Sequence, residues 1–206
     1  MNRTIVTCVA LCCLLAAVSA AGAQEMVPDK AAALADRIAE LEEAIEASPE
    51  DIELRIELGN LYYESNMLDQ AQTVYVEASR IDSSHTGVLV NLASLYSDMG
   101  RAKEALPLLE RALRHEPRDP IIYTNLGSVY YDQQRYQEAV DMYQMAISID
   151  PECIEAHFNL GVAFADARIF EEAIREWQRV IEIEPTSQAA KISRDNIQMI
   201  RQFRGE

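Results

Sequence analysis

The stretch NLGSVYYDQQRYQEA, residues 125–139, is followed 34 residues later by NLGVAFADARIFEEA, residues 159–173. The two stretches keep the same apolar, small and aromatic positions and differ at most of the positions between them. Self-similarity at a fixed interval of about 20–50 residues is the sequence signature of a repeat architecture. The interval therefore predicts a chain built from repeated units of one size.

The same register extends over four consecutive blocks, residues 52–85, 86–119, 120–153 and 154–187. The eighth position of a block is always small, the eleventh is aromatic, the twentieth is alanine and the twenty-fourth is large. The eighth-position residues are Gly59, Ala93, Gly127 and Gly161. The residues at the twenty-fourth position are Tyr75, Leu109, Tyr143 and Trp177. Four blocks in unbroken register are far stronger evidence than one.

The spacing within a block predicts two amphipathic helices. Positions 4, 7, 8 and 11 fall on one helical stripe, and positions 20, 24 and 27 fall on another. Asn66 and Gly100 mark the break between the helices in the first two blocks, where a left-handed residue is tolerated. Small residues at positions 8 and 20 let the two helices cross closely, and the larger residues fill the adjacent space. Proline at position 32 ends the second helix in three blocks, and Ser83 replaces it in the first.

This pattern resembles the tetratricopeptide repeat, and the resemblance covers residues 52–187. It implies an all-α, right-handed α-solenoid, because no block can bury both of its faces without a stacked neighbour. Residues 24–51 are predicted to be a linker and a capping helix with the stripe Leu34, Ile38, Leu41 and Ile45. Residues 188–206 are predicted to hold the second cap, with the stripe Ala189, Ile192, Asn196 and Met199 or Ile200. We expect ten helices and no strands.

Residues 1–23 differ from the rest of the chain. Arg3 precedes an apolar run from Ile5 to Val18, and small residues follow, which is the pattern of a secretory signal. Cleavage would follow Ala20 or Ala23. The alternative is an uncleaved anchor, although the run is short for a membrane-spanning helix of about 20 residues. We therefore expect an exported protein, periplasmic or extracellular in a bacterium, without stable membrane insertion after cleavage.

The net charge of the chain argues against one class of partner, and its cysteine content argues against an internal disulfide. The chain has a formal net charge of −16, and cleavage after Ala23 would remove one basic and no acidic residue. This charge repels phosphate backbones, so nucleic acid is not an expected partner. Three of the four cysteines lie within residues 1–23, and Cys153 alone remains, so the sequence predicts no internal disulfide. Self-association of the chain remains open.

Motifs of catalysis are absent from the sequence. His85, His115 and His157 lie far apart, without the spacing of a zinc site, and there is no Cys-x-x-Cys pair. There is no glycine-rich phosphate loop and no Gly-x-Ser-x-Gly motif. We predict a protein that is not an enzyme, without metal or cofactor, in which His157 is a core or interface histidine.

The resemblance implies that the first helix of each block lines a concave groove that binds a peptide or a partner helix. The sixth position carries Asn91, Asn125 and Asn159 in the last three blocks, and an Asn amide can both donate to and accept from a peptide backbone. The thirteenth position is always acidic. The other candidate contacts are Asn60, Ile56, Val90, Phe158, Tyr63 and Tyr131, and the predicted acidic row is Asp98, Asp132 and Asp166. A solvated surface is the alternative interpretation of this row.

One known binding mode of these repeats can be tested residue by residue. The carboxylate clamp, which binds the acidic tails of heat-shock chaperones, requires two asparagines and several cations. Asn60 and Asn91 match the asparagines, but Ile56, Ile121 and Asn125 stand where the cations are required. We therefore expect a neutral or basic extended segment of another protein in the groove. The predicted function is an exported scaffold, such as an envelope assembly factor, and the alternative is an accessory or regulatory subunit of an enzyme or transport complex.

Overall fold

The computed structural model describes residues 28–205, which form ten α-helices and no strand. The all-α solenoid expected from the sequence is confirmed. The helices are α1 (Pro28–Ala47), α2 (Ile52–Glu64), α3 (Leu68–Ile81), α4 (Thr86–Asp98), α5 (Ala102–His115), α6 (Pro120–Asp132), α7 (Tyr136–Ile149), α8 (Ile154–Asp166), α9 (Phe170–Ile183) and α10 (Gln188–Arg204). The predicted signal, its cleavage sites, Cys8, Cys12 and Cys13 lie outside the described residues.

The first helices of the blocks form the inner side of the solenoid. Helices α2, α4, α6 and α8 contact one another in succession, and α8 also contacts α10. Their counterparts α3, α5, α7 and α9 make no such contacts with one another. Because the first helices are closer together than the second helices, the stack curves toward them. We call the solvent-facing side of α2, α4, α6 and α8 the inner wall.

The turn between the two helices has the same backbone geometry in all four blocks. The fifteenth residue of each block has positive φ: Asn66, Gly100, Gln134 and Arg168, at 59°, 71°, 62° and 60°. In the second block the amide of Arg101 donates to the carbonyl of Tyr96 at 2.7 Å, and the amide of Gly100 donates to that of Ser97 at 2.8 Å. These two bonds define a Schellman motif, which uses a left-handed residue to end a helix. Sequence alone indicated the break only where the residue is Asn or Gly.

This geometry predicts opposite effects of alanine at two glycines. Gly100→Ala places a β-carbon on a left-handed residue and should lower the free energy of unfolding by about 1 kcal/mol. Gly87→Ala, in the first turn of helix α4, should raise it by less than the roughly 1 kcal/mol expected in a helix interior, because alanine favours helices over glycine. Urea denaturation followed by circular dichroism measures both. Equal effects of the two substitutions would contradict the assigned turn.

Each block is held together by a small residue beneath a large one. A β-carbon built on Gly127 would lie 2.5 Å from Cε1 of Tyr143, and one on Gly161 would lie 2.5 Å from Nε1 of Trp177. In the second block alanine replaces glycine at this position, and leucine replaces the aromatic ring. These two residues, Ala93 and Leu109, are fully buried in one cluster. The size of the residue at the eighth position therefore limits the size of the residue at the twenty-fourth position.

Capping helices flank the four blocks. Leu41 of α1 is buried, and Leu34, Ile38 and Ile45 are half-buried, as the predicted stripe requires. The stripe predicted for α10 is confirmed at Asn196 and Ile200, which are buried, but Met199 is 51% exposed and Ala189 and Ile192 are only half-buried. The residues that α10 buries are Ala190, Ser193, Asn196, Ile197 and Ile200. Among the described helices none is both long and apolar enough to cross a membrane.

Candidate partner-binding groove

The sixth-position asparagines lie on the inner wall and bridge neighbouring blocks. Asn91 Nδ2 donates to Asn60 Oδ1 at 3.0 Å, Asn125 Oδ1 accepts from Ser94 Oγ at 2.7 Å, and Asn159 Nδ2 donates to Ser128 Oγ at 3.4 Å. In each case the partner is the ninth residue of the preceding block. The three amides are therefore part of the contact between blocks as well as part of the groove surface.

Asn60, the partner of Asn91, keeps hydrogen-bonding capacity that the contact between blocks does not use. Asn60 is exposed, and its Oδ1 accepts both Asn91 Nδ2 and the hydroxyl of Tyr75 at 2.6 Å. Burial raises the pKa of Tyr75 to about 12, so this phenol is protonated and donates. Since Oδ1 of Asn60 is used twice, its own NH₂ group is left to face outward. The neighbouring bonds fix the orientation of the amide plane.

The residues of the predicted acidic row occupy equivalent places in successive blocks, but their carboxylates accept hydrogen bonds from the preceding block. Tyr63 donates its hydroxyl to Asp98, Ser97 donates to Asp132 at 2.7 Å, and Tyr131 donates to Asp166. Each donor is the twelfth residue of one block and each acceptor is the thirteenth of the next. Carboxylates at these helix ends are unfavourable for the helix dipole. The bond between blocks gives a structural reason for an acidic residue there.

Asp132 is the residue of the acidic row whose pKa is shifted. Partial burial raises the pKa of its carboxyl, and the charge of Asp98 adds to this increase, while the hydrogen bond from Ser97 opposes it. Two carboxylates of adjacent blocks thus repel each other along the inner wall. A cationic group of a partner placed between them would relieve that repulsion.

The apolar candidates differ in how much of each remains accessible. Val90 is 9% exposed and belongs to the core of the second and third blocks. Ile56, Phe158, Tyr63 and Tyr131 are half-buried, so part of each side chain can contact a ligand. The binding roles of all these residues remain predictions.

Ile121 was not among the candidates and is the most exposed large apolar side chain of the described residues, at 57%. It lies one turn before Asn125, whose Nδ2 donates to the Ile121 carbonyl at 2.9 Å, so both side chains are on the same face of α6. Its signal in the sequence was an isoleucine at the second position, outside the buried stripes. We add Ile121 to the groove.

The arginines that follow the left-handed turns are paired within the solenoid, and Arg101 also donates to Gln72 of the preceding block at 2.7 Å. The guanidinium of Arg101 lies 4.3 Å from the ring centroid of Tyr96 and bonds Glu104, and Arg135 lies 4.3 Å from Tyr130 and bonds Glu138. Both arginines follow the left-handed turn residue. Their charges are partly neutralised, so the carboxylates of the inner wall determine its sign.

His157 is a core histidine, as the sequence predicted. Its Nδ1 lies 2.7 Å from a Glu176 carboxylate oxygen, and its Nε2 lies 3.1 Å from the Pro151 carbonyl. Both partners are acceptors when Glu176 is ionised, so this geometry favours the imidazolium, in which both ring nitrogens carry hydrogen and donate. Burial lowers the pKa of His157, but the hydrogen bonds to Glu176 and Pro151 outweigh it, and the net pKa is raised.

This pair predicts a pH-dependent stability. The pKa of His157 is higher in the folded state than its unfolded value of about 6.5, so its contribution is complete below that pH. The contribution is lost as pH rises through the folded pKa. His157→Gln should therefore flatten the decrease in melting temperature above about pH 6.5, whereas His115→Gln, at an exposed position, should leave it unchanged. An unaltered pH profile in His157→Gln would contradict the assignment.

Three matches to family models agree with this geometry. Each model is described as a tetratricopeptide repeat, and the matched residues are 28–82, 90–152 and 154–187. The chain belongs to the tetratricopeptide-repeat family. No curated protein sequence matches it significantly.

Solved structures of tetratricopeptide-repeat proteins share this fold. MamA 41-end from Desulfovibrio magneticus RS-1 is 21% identical with a TM-score of 0.61, and the match covers 86% of this chain and 97% of that one. TTC0263, a tetratricopeptide-repeat protein of Thermus thermophilus, is 17% identical with a TM-score of 0.72 over 79% and 89%. YrrB, described as having an unusual peptide-binding site, is 22% identical with a TM-score of 0.58 over 81% and 86%. Among the described residues no group of His, Cys, Asp and Glu side chains could hold a metal ion.

Proposed function

We propose that this protein is an exported interaction scaffold whose inner wall binds an extended, neutral or basic segment of another protein. The observation that carries the proposal is the row of asparagine amides, one in each of the last three blocks, held in orientation by hydrogen bonds to the preceding block. Amides fixed before binding lose little conformational entropy when a peptide backbone joins them. YrrB, a protein of the same fold, is described as having a peptide-binding site.

We expect the apolar residues to contribute most of the binding free energy. One hydrogen bond contributes about 0.5–1.5 kcal/mol, so three amides cannot reach the roughly 8 kcal/mol of a micromolar complex. Burial of an exposed isoleucine side chain contributes about 1.5–3 kcal/mol. Ile121 is therefore expected to contribute more affinity than any single amide, with Phe158, Tyr63 and Tyr131 supplying further area.

The acidic row sets the preferred charge of the segment. Asp98, Asp132 and Asp166 carry carboxylates at the same place in successive blocks, and the repulsion between Asp98 and Asp132 is relieved by a cation. Such charges act mainly on the association rate and on salt dependence. The proposal of export rests on residues 1–23, and N-terminal sequencing of the mature protein tests it.

The alternative is an accessory subunit that binds an enzyme or transporter. Both functions use the same groove, and they differ in the partner. A stable stoichiometric complex with an enzyme or transporter in the exported fraction would favour the alternative. A reversible complex through one extended segment favours the scaffold.

Peptide selection with matched variants tests the groove. Peptides of about a dozen residues are selected from a random displayed library against the chain, and their Kd is measured by titration. Ile121→Ser should weaken binding by about tenfold or more, because it removes exposed apolar area without disturbing the core. Met145→Ser, an equivalent loss at an exposed residue of α7, should leave the Kd unchanged.

The carboxylates need a substitution that preserves their structural bond. Asp132→Asn keeps an acceptor for Ser97, so it removes charge with less damage to the contact between blocks than lysine would cause. Asp132→Asn should reduce the salt dependence of binding. Selected peptides that bind both Ile121→Ser and Asp132→Asn with unchanged Kd and salt response would exclude the inner wall as the site.

A further inference from the structure

The inner wall offers three kinds of contact at three levels along its helices. Along α6, Ile121 lies four residues before Asn125, and Asp132 lies seven residues after it. At about 1.5 Å per residue these intervals span about 6 Å and about 10 Å, and both are close to whole turns, so the three residues share one face of the helix. The amide and the carboxylate recur at the same places in α4 and α8. A segment that follows the amides therefore has the carboxylates on one side and Ile121 on the other.

The distance between blocks determines the period that a bound segment must match. The hydrogen bonds of the acidic row join residues 35 apart in sequence at each of its three interfaces, so these blocks are stacked with one offset. The first helices contact one another in succession, and packed helices lie about 8–10 Å apart. The row of Asp98, Asp132 and Asp166 therefore offers one carboxylate at each such step along the solenoid.

The three regular conformations of a peptide differ in how well they fit this row. Side chains on one face of a β-strand recur at about 6.6 Å, so they lose register with carboxylates one block apart. An α-helix uses its backbone donors and acceptors internally, so it cannot bond the amides of the wall. A polyproline II helix has three residues per turn, rises about 9 Å per turn and makes no internal hydrogen bonds. Of the three, the polyproline II helix alone matches both the carboxylates and the amides.

The distance between the amides and the carboxylates selects the side chain that would join them. Asp132 lies about 10 Å along α6 from Asn125, so a residue beside the amide must span most of that distance. Lysine and arginine carry their charge at the end of a long apolar stem, whereas histidine is shorter. The half-buried rings of Tyr63 and Tyr131 lie beside the carboxylates to which their hydroxyls donate. Aromatic rings attract cations, so both features favour a lysine or an arginine.

We infer that the partner segment binds the inner wall as a polyproline II helix with lysine or arginine at every third residue. One residue of each turn then points toward the carboxylates, one points toward the level of Ile121, and one faces solvent. Such a segment has its bound conformation largely formed beforehand, which lowers the entropy lost on binding. This inference rests on the proposed function, because it specifies the conformation and the sequence period of the segment that the inner wall would hold.

Two synthetic peptides of identical composition test the period. Each has about ten residues, with three lysines and equal numbers of prolines and valines; lysine stands at every third position in peptide one and at every second position in peptide two. Fluorescence anisotropy at low salt, about 20 mM, measures the Kd of each peptide for the full chain. Peptide one should bind about tenfold more tightly, because its three lysines reach three carboxylates at once, whereas those of peptide two point to different sides.

Matched variants of the protein assign the difference to the acidic row. Asp98→Asn with Asp166→Asn removes two of its three carboxylates and keeps acceptors for the tyrosine hydroxyls. In this variant the affinities of peptides one and two should differ by about twofold or less. Glu77→Gln with Glu110→Gln removes the same charge at exposed residues of α3 and α5, so the tenfold difference should persist.

A third peptide tests the conformation. It keeps the lysines of peptide one and replaces the prolines with alanines, so its free chain has more conformations to lose, and it should bind about threefold more weakly or worse. Three results would overturn the inference: no measurable binding of peptide one, equal affinities of peptides one and two, or equal affinities of peptides one and three. The proposed function fails separately, when library-selected peptides bind Ile121→Ser and Asp132→Asn with unchanged Kd and salt response.

Discussion

Gly127→Ala is expected to lower the free energy of unfolding by about 1–3 kcal/mol, although alanine favours helices over glycine by about 1 kcal/mol. The new β-carbon would lie 2.5 Å from Cε1 of Tyr143, and the ring of Tyr143 is buried. Neither the ring nor the backbone of α6 has space into which to move without opening another gap. Urea denaturation followed by circular dichroism measures the loss.

The second block indicates which second substitution should compensate for Gly127→Ala. Ala93 and Leu109 occupy the places of Gly127 and Tyr143 there, so alanine is compatible with leucine above it. Tyr143→Leu should therefore cost less in the Gly127→Ala protein than in the original one, with a coupling energy of about 1 kcal/mol or more. Strictly additive costs would show that the two residues do not touch and that the register is wrong.

Trp177→Ala should have a larger effect, about 3–5 kcal/mol, because it removes the largest fully buried side chain of the described residues. The indole fills the space above Gly161, and its Nε1 donates to the Phe158 carbonyl at 3.1 Å. Trp177→Phe keeps most of the apolar volume and loses this bond, so it should cost less than Trp177→Ala. The difference between the variants separates packing from hydrogen bonding.

Met145→Ala provides the control, since Met145 is 44% exposed and surface substitutions usually change stability by about 0.5 kcal/mol or less. Trp177 is the one tryptophan of the chain, and Trp177→Ala removes it. Unfolding is therefore followed by circular dichroism instead of tryptophan fluorescence. A loss in Trp177→Ala no larger than that in Met145→Ala would place the indole outside the core.

The repeat register was predictable from sequence because the small and large residues recur at fixed positions. Gly59, Gly127 and Gly161 each lie under an aromatic ring, as alternation of small and large residues required. The left-handed turns were predictable only at Asn66 and Gly100, because Gln134 and Arg168 have no intrinsic preference for that conformation. There the surrounding bonds of the turn impose the backbone angle.

The candidate groove was predictable in its positions and not in its bonding. A sequence shows Asn125 and Asp132 at matching places in their blocks, but it does not show that Ser94 and Ser97 of the preceding block bond to them. Such contacts depend on the angle between blocks, which no local pattern encodes.

Photo-crosslinking at two matched positions tests the groove most directly. A photoreactive amino acid replaces either Ile121 of the inner wall or Met145 of α7, both exposed large apolar residues. Each protein is then irradiated with a peptide selected against the unmodified chain. We expect a covalent adduct from position 121 and little from position 145. An adduct from position 145 with none from position 121 would contradict the proposal that the inner wall binds the partner.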